Sequence, residues 1–188
     1  MRYLIENIND YNLDYLKSFA KKINKEKKDR LYKMNIKSFK QSVVGEILLA
    51  KLLKEIDINY KNINIRYNEN GKPFITNYNI YYSISHHEDL VICVINSNII
   101  GIDILKMNDV KKSVCKSFTS IDEYNYITNK YKFYKIYTLK EAYIKLFGKK
   151  INDIKSLNIV YDNHIVINVI YKTFKYNDYL ISMCYLPK

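Results

Sequence analysis

Residues 137–150 read YTLKEAYIKLFGKK. At 100° per residue, Leu139, Ala142, Tyr143 and Leu146 fall on one stripe of a helix, the face expected to meet a core. Glu141 and Lys145, four residues apart, fall on the opposite side, with Lys140 beside them. Two readings stand open here. One is an exposed ion pair contributing roughly 0.2–0.5 kcal/mol. The other is one half of an active site.

The helix has an echo earlier in the chain. A shift of 95 residues lays VGEILLAKLL (44–53) over LKEAYIKLFG (139–148), superposing Glu46 on Glu141. The same shift lays LIENI (4–8) over IIGID (99–103). The elements expected around these segments repeat in the same order. RYLIENI (2–8) reads as a strand and LDYLKSFAKKINKEKKDRLYKM (13–34) as a polar helix, with Lys27 and Arg30 three apart on one face. SFKQSVVGEILLAKLLKEI (38–56) is the clearest helix, striped by Val44, Leu48, the stem of Lys51 and Leu52. NENGKP (68–73) is a turn inside an irregular stretch. NIYYSI (79–84), LVICVIN (90–96) and IIGIDIL (99–105) read as strands, being rich in branched and aromatic residues. FTSIDEYNYI (118–127) opens a helix on a cap at Thr119 or Ser120. The tail, residues 157–186, alternates apolar and polar residues and reads as about three antiparallel strands.

Composition narrows the classes. The 188 residues include only four Gly and two Pro, and 48% are apolar, so a folded core is expected and disorder is not. No apolar run is long enough to cross a membrane, and MRYLIENINDYN lacks the pattern of a signal peptide. Cys93, Cys115 and Cys184 are odd in number and widely spaced, which suits buried reduced thiols in a cytoplasmic protein. The net charge of +12 suits an acidic partner or a phosphorylated ligand, although a chain rich in Lys, Asn, Ile and Tyr owes part of that charge to composition.

Three further segments carry polar residues in unusual places. Asp103 stands among Ile99, Ile100, Ile102 and Ile104. A carboxylate there is costly unless paired, hydrogen-bonded or metal-bound; an Asp capping a turn at the strand end is the plainer reading. Gly101 permits close approach to the backbone. Ser85 and His86 follow a buried strand where the chain turns, and could hold a phosphate or be structural. Lys72 lies between Gly71 and Pro73 in a stiff turn.

Taken together and in order, GKPF (71–74), SISH (83–86), GIDI (101–104), FTSIDEY (118–124) and LKEAYIK (139–145) resemble the motif series of the 4′-phosphopantetheinyl transferases, Sfp type. The resemblance implies an α+β fold of two pseudo-symmetric lobes, each an antiparallel sheet with packed helices, and a ligand cleft between them. Residues 1–97 would form the coenzyme A-binding lobe and 98–188 the lobe with the metal and catalytic helix. Such an enzyme transfers phosphopantetheine from coenzyme A to a serine of an apo acyl or peptidyl carrier protein and releases adenosine 3′,5′-bisphosphate.

The resemblance also implies roles. Asp103 and Glu141 would bind Mg²⁺, and Glu141 would accept the serine proton. Lys145 would offset pyrophosphate charge and, with Asp103 and Glu141, make up the catalytic group. Lys72, Ser85 and His86 would hold phosphate oxygens, and Lys27 and Arg30 the 3′-phosphate. Two positions depart from the family pattern. Leu105 stands where many relatives carry a second acid, so a water would fill that metal position. Gln41, beside Lys40, stands where an Arg is frequent. The expected partners are coenzyme A and an acidic carrier protein, with no nucleic acid and no membrane, and the expected state is a cytoplasmic monomer. Two alternatives compete: a basic nucleic-acid-binding protein with many Tyr, and a relative that binds coenzyme A or carrier protein without catalysis.

Overall fold

Asn residues start several of the helices. In a computed structural model, which describes residues 1–149 and 154–187, the side chains of Asn12, Asn24, Asn35 and Asn129 each accept a hydrogen bond from the backbone N–H three residues on. These caps open α1 (Leu13–Ala20), α2 (Lys25–Leu31), α3 (Ile36–Lys54) and α6 (Lys130–Phe147). Each contributes about 1 kcal/mol relative to Ala. The cap at Asn24 also corrects one expectation. The helix expected over 13–34 is two helices: α1 ends at Ala20, and Asn24 caps the start of α2.

The chain divides into two compact units. The first comprises Met1–Tyr67 and Pro73–Ser97, the second Asn68–Lys72 and Asn98–Lys188. In the first, β1 (Arg2–Asn7), β4 (Tyr81–His87) and β5 (Leu90–Asn96) form an antiparallel sheet in the order β1-β5-β4. A short hairpin pairs β2 (Ile65–Tyr67) with β3 (Pro73–Ile75). α3 lies on the sheet, and Val44, Leu48 and Leu52 join Val91, Cys93 and Ile95 in one buried cluster.

The second unit repeats this plan. β6 (Ile100–Lys106), β9 (Ile170–Tyr176) and β10 (Tyr179–Tyr185) form an antiparallel sheet in the order β6-β10-β9. β7 (Val160–Tyr161) and β8 (His164–Ile165) form a small hairpin, turned by Asp162 and Asn163 at φ 48° and 60°, both in the left-handed region that such two-residue turns require. The tail is therefore two strand pairs, where about three strands were expected. α4 (Lys112–Phe118), α5 (Ile121–Tyr126) and α6 precede the hairpin, as α1 to α3 precede β2. Ser120 is the cap of α5, in a reciprocal pair with Glu123.

α6 crosses β6 and β10 closely. A Cβ at Gly101 would sit 2.0 Å from the Ala142 carbonyl oxygen and 2.4 Å from the Leu146 nitrogen. Only glycine lets the helix approach at that point. Gly148 ends α6 in the left-handed conformation at φ 60°.

Candidate active site

The close approach at Gly101 decides what Asp103 meets. Residues 101, 103 and 105 share one face of β6, and that face carries α6. Asp103 is 5% exposed and its Oδ1 accepts a hydrogen bond from Lys145 Nζ at 2.6 Å. Lys145 keeps a side chain about a third exposed. Leu105 follows on the same face and packs against a cluster of Cys115, Phe133, Tyr134 and Leu180.

Glu141 is 5% exposed, which removes the reading of a surface ion pair. Of the expected stripe, Leu139, Ala142 and Leu146 are buried and Tyr143 only partly, while Thr138, Lys140, Glu141 and Ile144 are buried as well. A helix covered on most sides has no single core face, so one apolar stripe understates its burial. Burial first, and then the nearby Asp103, push the Glu141 carboxyl up to about 7. Lys145 and a hydrogen bond from the Tyr137 hydroxyl offset part of that rise. Glu141 Oε1 is buried and has no hydrogen-bond partner. Tyr137, pushed up to about 12 by burial and then by Glu141 and Asp103, lies edge-on to Phe118 with ring centroids 5.1 Å apart. Asp103, Glu141, Lys145 and Tyr137 thus form one cluster, in which the Lys145 ammonium lies beside both carboxylates.

Among the described residues, no group of three or more His, Cys, Asp or Glu side chains is arranged to hold a metal. Two carboxylates are what this site offers. They suit a hard cation that takes oxygen ligands and keeps several waters, and the buried Glu141 Oε1 is an oxygen still lacking a partner.

Residues 99–185, which carry this cluster, match the family described as the 4′-phosphopantetheinyl transferase superfamily, and residues 12–98 match its N-terminal 4′-phosphopantetheinyl transferase domain. The chain is 33% identical over 135 residues to the 4′-phosphopantetheinyl transferase gsp of Aneurinibacillus migulanus, covering 68% of this chain and 56% of that protein. It is 30% identical over 155 residues to the 4′-phosphopantetheinyl transferase ffp of Bacillus subtilis, covering 78% and 68%. The chain belongs to the 4′-phosphopantetheinyl transferase superfamily, in its Sfp-type branch. To the transferase Sfp of Bacillus subtilis it is 31% identical over 117 residues, 58% of this chain and 52% of that one. The matches thus span about half to two thirds of the relatives' own length.

The other residues named from the family pattern each have neighbours of their own. Lys72 sends its ammonium to the Leu146 carbonyl at 2.7 Å and the Ile100 carbonyl at 3.4 Å, at the end of α6 where cations are favoured. Burial brings that ammonium down to about 8. Ser85 and His86 lie within β4, which runs three residues beyond the strand expected at 79–84. Ser85 is buried and His86 exposed, as strand alternation dictates. Lys27 turns inward from α2 to pair with Glu46, a carboxylate only 1% exposed, whose Oε2 accepts the Tyr60 hydroxyl at 2.6 Å. Arg30 lies over the Tyr67 ring at 4.5 Å from its centroid. Gln41 donates to the Glu88 carbonyl at 2.7 Å and so ties α3 to the β4–β5 turn.

Tyr137 and Glu123 were not among the residues singled out in the sequence, and Lys140 was singled out only as a neighbour of Glu141 and Lys145. Tyr137 lies four residues before Glu141, a spacing that puts both on one helix face. Glu123 and Lys140 stand inside quoted motifs but were given no chemistry. Among the described residues, no helix is long and apolar enough to cross a membrane.

Proposed function

We propose that the protein transfers 4′-phosphopantetheine from coenzyme A to a serine of an acidic apo carrier protein, in a Mg²⁺-dependent reaction. The observation that carries this reading is Glu141: a buried carboxylate beside Asp103 with one oxygen unpartnered, in a chain of this family. The serine oxygen bonds to the β-phosphorus of coenzyme A. The bond from that phosphorus to the bridging oxygen breaks, and adenosine 3′,5′-bisphosphate leaves.

Glu141 receives the serine proton, directly or through water. A carboxylate raised to about 7 is matched to that task near neutral pH. Tyr137 holds Glu141 in place by its hydrogen bond. Asp103 and Glu141 would hold Mg²⁺, which when bound neutralises pyrophosphate charge and polarises the attacked phosphorus. Lys145 is exposed enough to swing its ammonium from Asp103 toward the pyrophosphate. Arg30 takes the 3′-phosphate, joined by Lys27 where its ammonium reaches past Glu46, and His86, Ser85 and Lys72, the last on release from the Leu146 carbonyl, hold other phosphate oxygens. The +12 charge favours encounter with both an anionic donor and an acidic carrier.

The test is direct. Purified protein is incubated with coenzyme A, Mg²⁺ and apo carriers from fatty-acid, polyketide and peptide synthesis, and the carriers are weighed by mass spectrometry. One carrier should gain the phosphopantetheine mass, and the gain should vanish with chelator. Unchanged masses across all three classes, with folded enzyme, refute the proposal. The nucleic-acid alternative leaves Asp103 and Glu141 unexplained.

A further inference from the structure

Glu123 and Lys140 stand in two of the family motifs, yet neither has a part in the chemistry above. Both side chains are 0% exposed, and Lys140 Nζ lies 2.8 Å from Glu123 Oε2. The same Oε2 accepts the Ser120 N–H at 2.9 Å, and Oε1 accepts the Ile159 N–H at 3.0 Å. Lys140 Nζ also donates to the Phe118 carbonyl at 3.0 Å. One carboxylate therefore joins three elements: the start of α5, the segment leading into β7, and the middle of α6.

A charge pair sealed this far from water adds little stability over apolar residues of the same volume, because desolvation consumes the coulombic gain. Burial alone pulls the Lys140 ammonium below its ordinary range, and Glu123 restores part of the loss. What the pair supplies is geometry. An apolar contact tolerates sliding and rotation, whereas a charged hydrogen bond fixes length and direction. Lys140 immediately precedes Glu141, and successive helical residues leave the axis about 100° apart. Holding Lys140 toward Glu123 thus holds Glu141 at a set angle from it.

We propose that Glu123 and Lys140 are positioning residues, a buried strut that sets the rotation of α6 so that Glu141 and Lys145 face Asp103. The kinetic consequence rests on the transferase reading; the geometric claim does not. The pair predicts a specific dissociation of effects. Removing both charges together should leave the fold intact while the site loosens, whereas removing one strands the other in the core.

The test is the double variant Glu123→Gln/Lys140→Met. Gln keeps an acceptor oxygen for one of the Ser120 and Ile159 N–H groups and gives up the other, and Met fills the volume of the lysine stem. The variant should melt within a few degrees of wild type. Its crystal structure should show the Glu141 carboxyl displaced by about 1 Å relative to Asp103 and the Lys145–Asp103 contact lengthened. A displacement of this size should lower kcat roughly 10- to 100-fold while the KM for coenzyme A stays within about twofold. If Glu141 and Lys145 stay in place, the strut is refuted, whatever the turnover. Should the double variant not fold, Glu123→Asp keeps the charge pair and shortens it by one methylene. It should show a smaller displacement and a fall in kcat at unchanged KM, and wild-type structure and kcat in that variant would overturn the proposal. Absence of turnover in wild type would refute the transferase reading, and the crystallographic comparison would still decide the strut.

Discussion

Glu141→Gln should make the protein more stable and inactive at once. Burial and Asp103 move the Glu141 carboxyl from 4.5 to about 7. At about 1.36 kcal/mol per pH unit the whole shift corresponds to about 3.4 kcal/mol. Water and relaxing dipoles trim such a figure in real proteins, so about 1–3 kcal/mol is expected. The sign follows from proton uptake. Below pH 4.5 the carboxyl is protonated in both the folded and unfolded chain. Between 4.5 and about 7 the unfolded chain has released the proton and the folded chain still holds it, so stability falls as pH rises. Above about 7 the full cost is present. Gln is neutral throughout and escapes it. Thermal melts from pH 4 to 8 in chelator should show curves that coincide at low pH and separate above it, at roughly 2–4 °C per kcal/mol for a chain of this size. Mg²⁺ at pH 8 should raise wild type and not the variant, and carrier modification should be lost. Parallel pH curves, or a variant less stable than wild type at pH 8 in chelator, would show that Glu141 is not an under-neutralised carboxylate.

Three other substitutions probe the frame around the sites. Lys27→Ala leaves Glu46 without its ion-pair partner at 1% exposure, which should cost roughly 3 kcal/mol; Glu46→Gln in the same chain should recover most of the loss in urea denaturation, and no recovery would mean that the lysine stem, not the pair, matters. Gly101→Ala forces a Cβ against the Ala142 carbonyl oxygen at 2.0 Å and should cost more than about 3 kcal/mol or prevent folding; a variant with wild-type melting temperature would refute the close approach of α6 to β6. The Tyr82 hydroxyl is buried without a hydrogen-bond partner, so Tyr82→Phe should raise stability by about 1 kcal/mol, whereas a loss of that size would reveal an ordered water on the hydroxyl.

How much of this was legible varied with the kind of force at work. Strands β5 and β6 and helix α3 were readable because branched runs and a 3.6-residue stripe report local packing. The break at Asn24 was written in a capping residue but masked by a polar, lysine-rich run on both sides. Asp103 announced itself as a carboxylate among isoleucines, and Gly101 as a point of close approach. The burial of Glu141 was not legible from its helix alone. It depends on how many surfaces cover α6, which includes the sheet made by β6 and the distant β10. The Lys27–Glu46 pair was equally hidden, since nothing local says that a lysine 19 residues away will turn inward. The resemblance singled out Lys145, which meets Asp103, but gave no sign that Lys140 meets Glu123.

The 95-residue echo in the sequence corresponds to a shared topology, and the contrast between its two copies locates the chemistry. Strand orders β1-β5-β4 and β6-β10-β9 are the same plan, each with its helices and a two-stranded hairpin inserted between the first strand and the other two. Glu46 and Glu141 occupy corresponding places on α3 and α6, and both are buried. Their surroundings differ. Glu46 has a lysine on one oxygen and a tyrosine hydroxyl on the other, and so it is neutralised from within. Glu141 has a second carboxylate for a neighbour, which accepts a hydrogen bond from the Lys145 ammonium, and an oxygen with no partner. A fold of this kind can hold a buried acid stably, as the first unit shows. In the second unit burial and the neighbouring Asp103 instead raise the Glu141 carboxyl to about 7, and under the proposed function a divalent cation would relieve that cost. Supplying a positive charge from within, for instance by Leu105→Lys, should raise stability in chelator if the new ammonium reaches Glu141, and should abolish the stabilisation by Mg²⁺. A variant that still gains stability from Mg²⁺ as wild type does would show that the cation binds elsewhere.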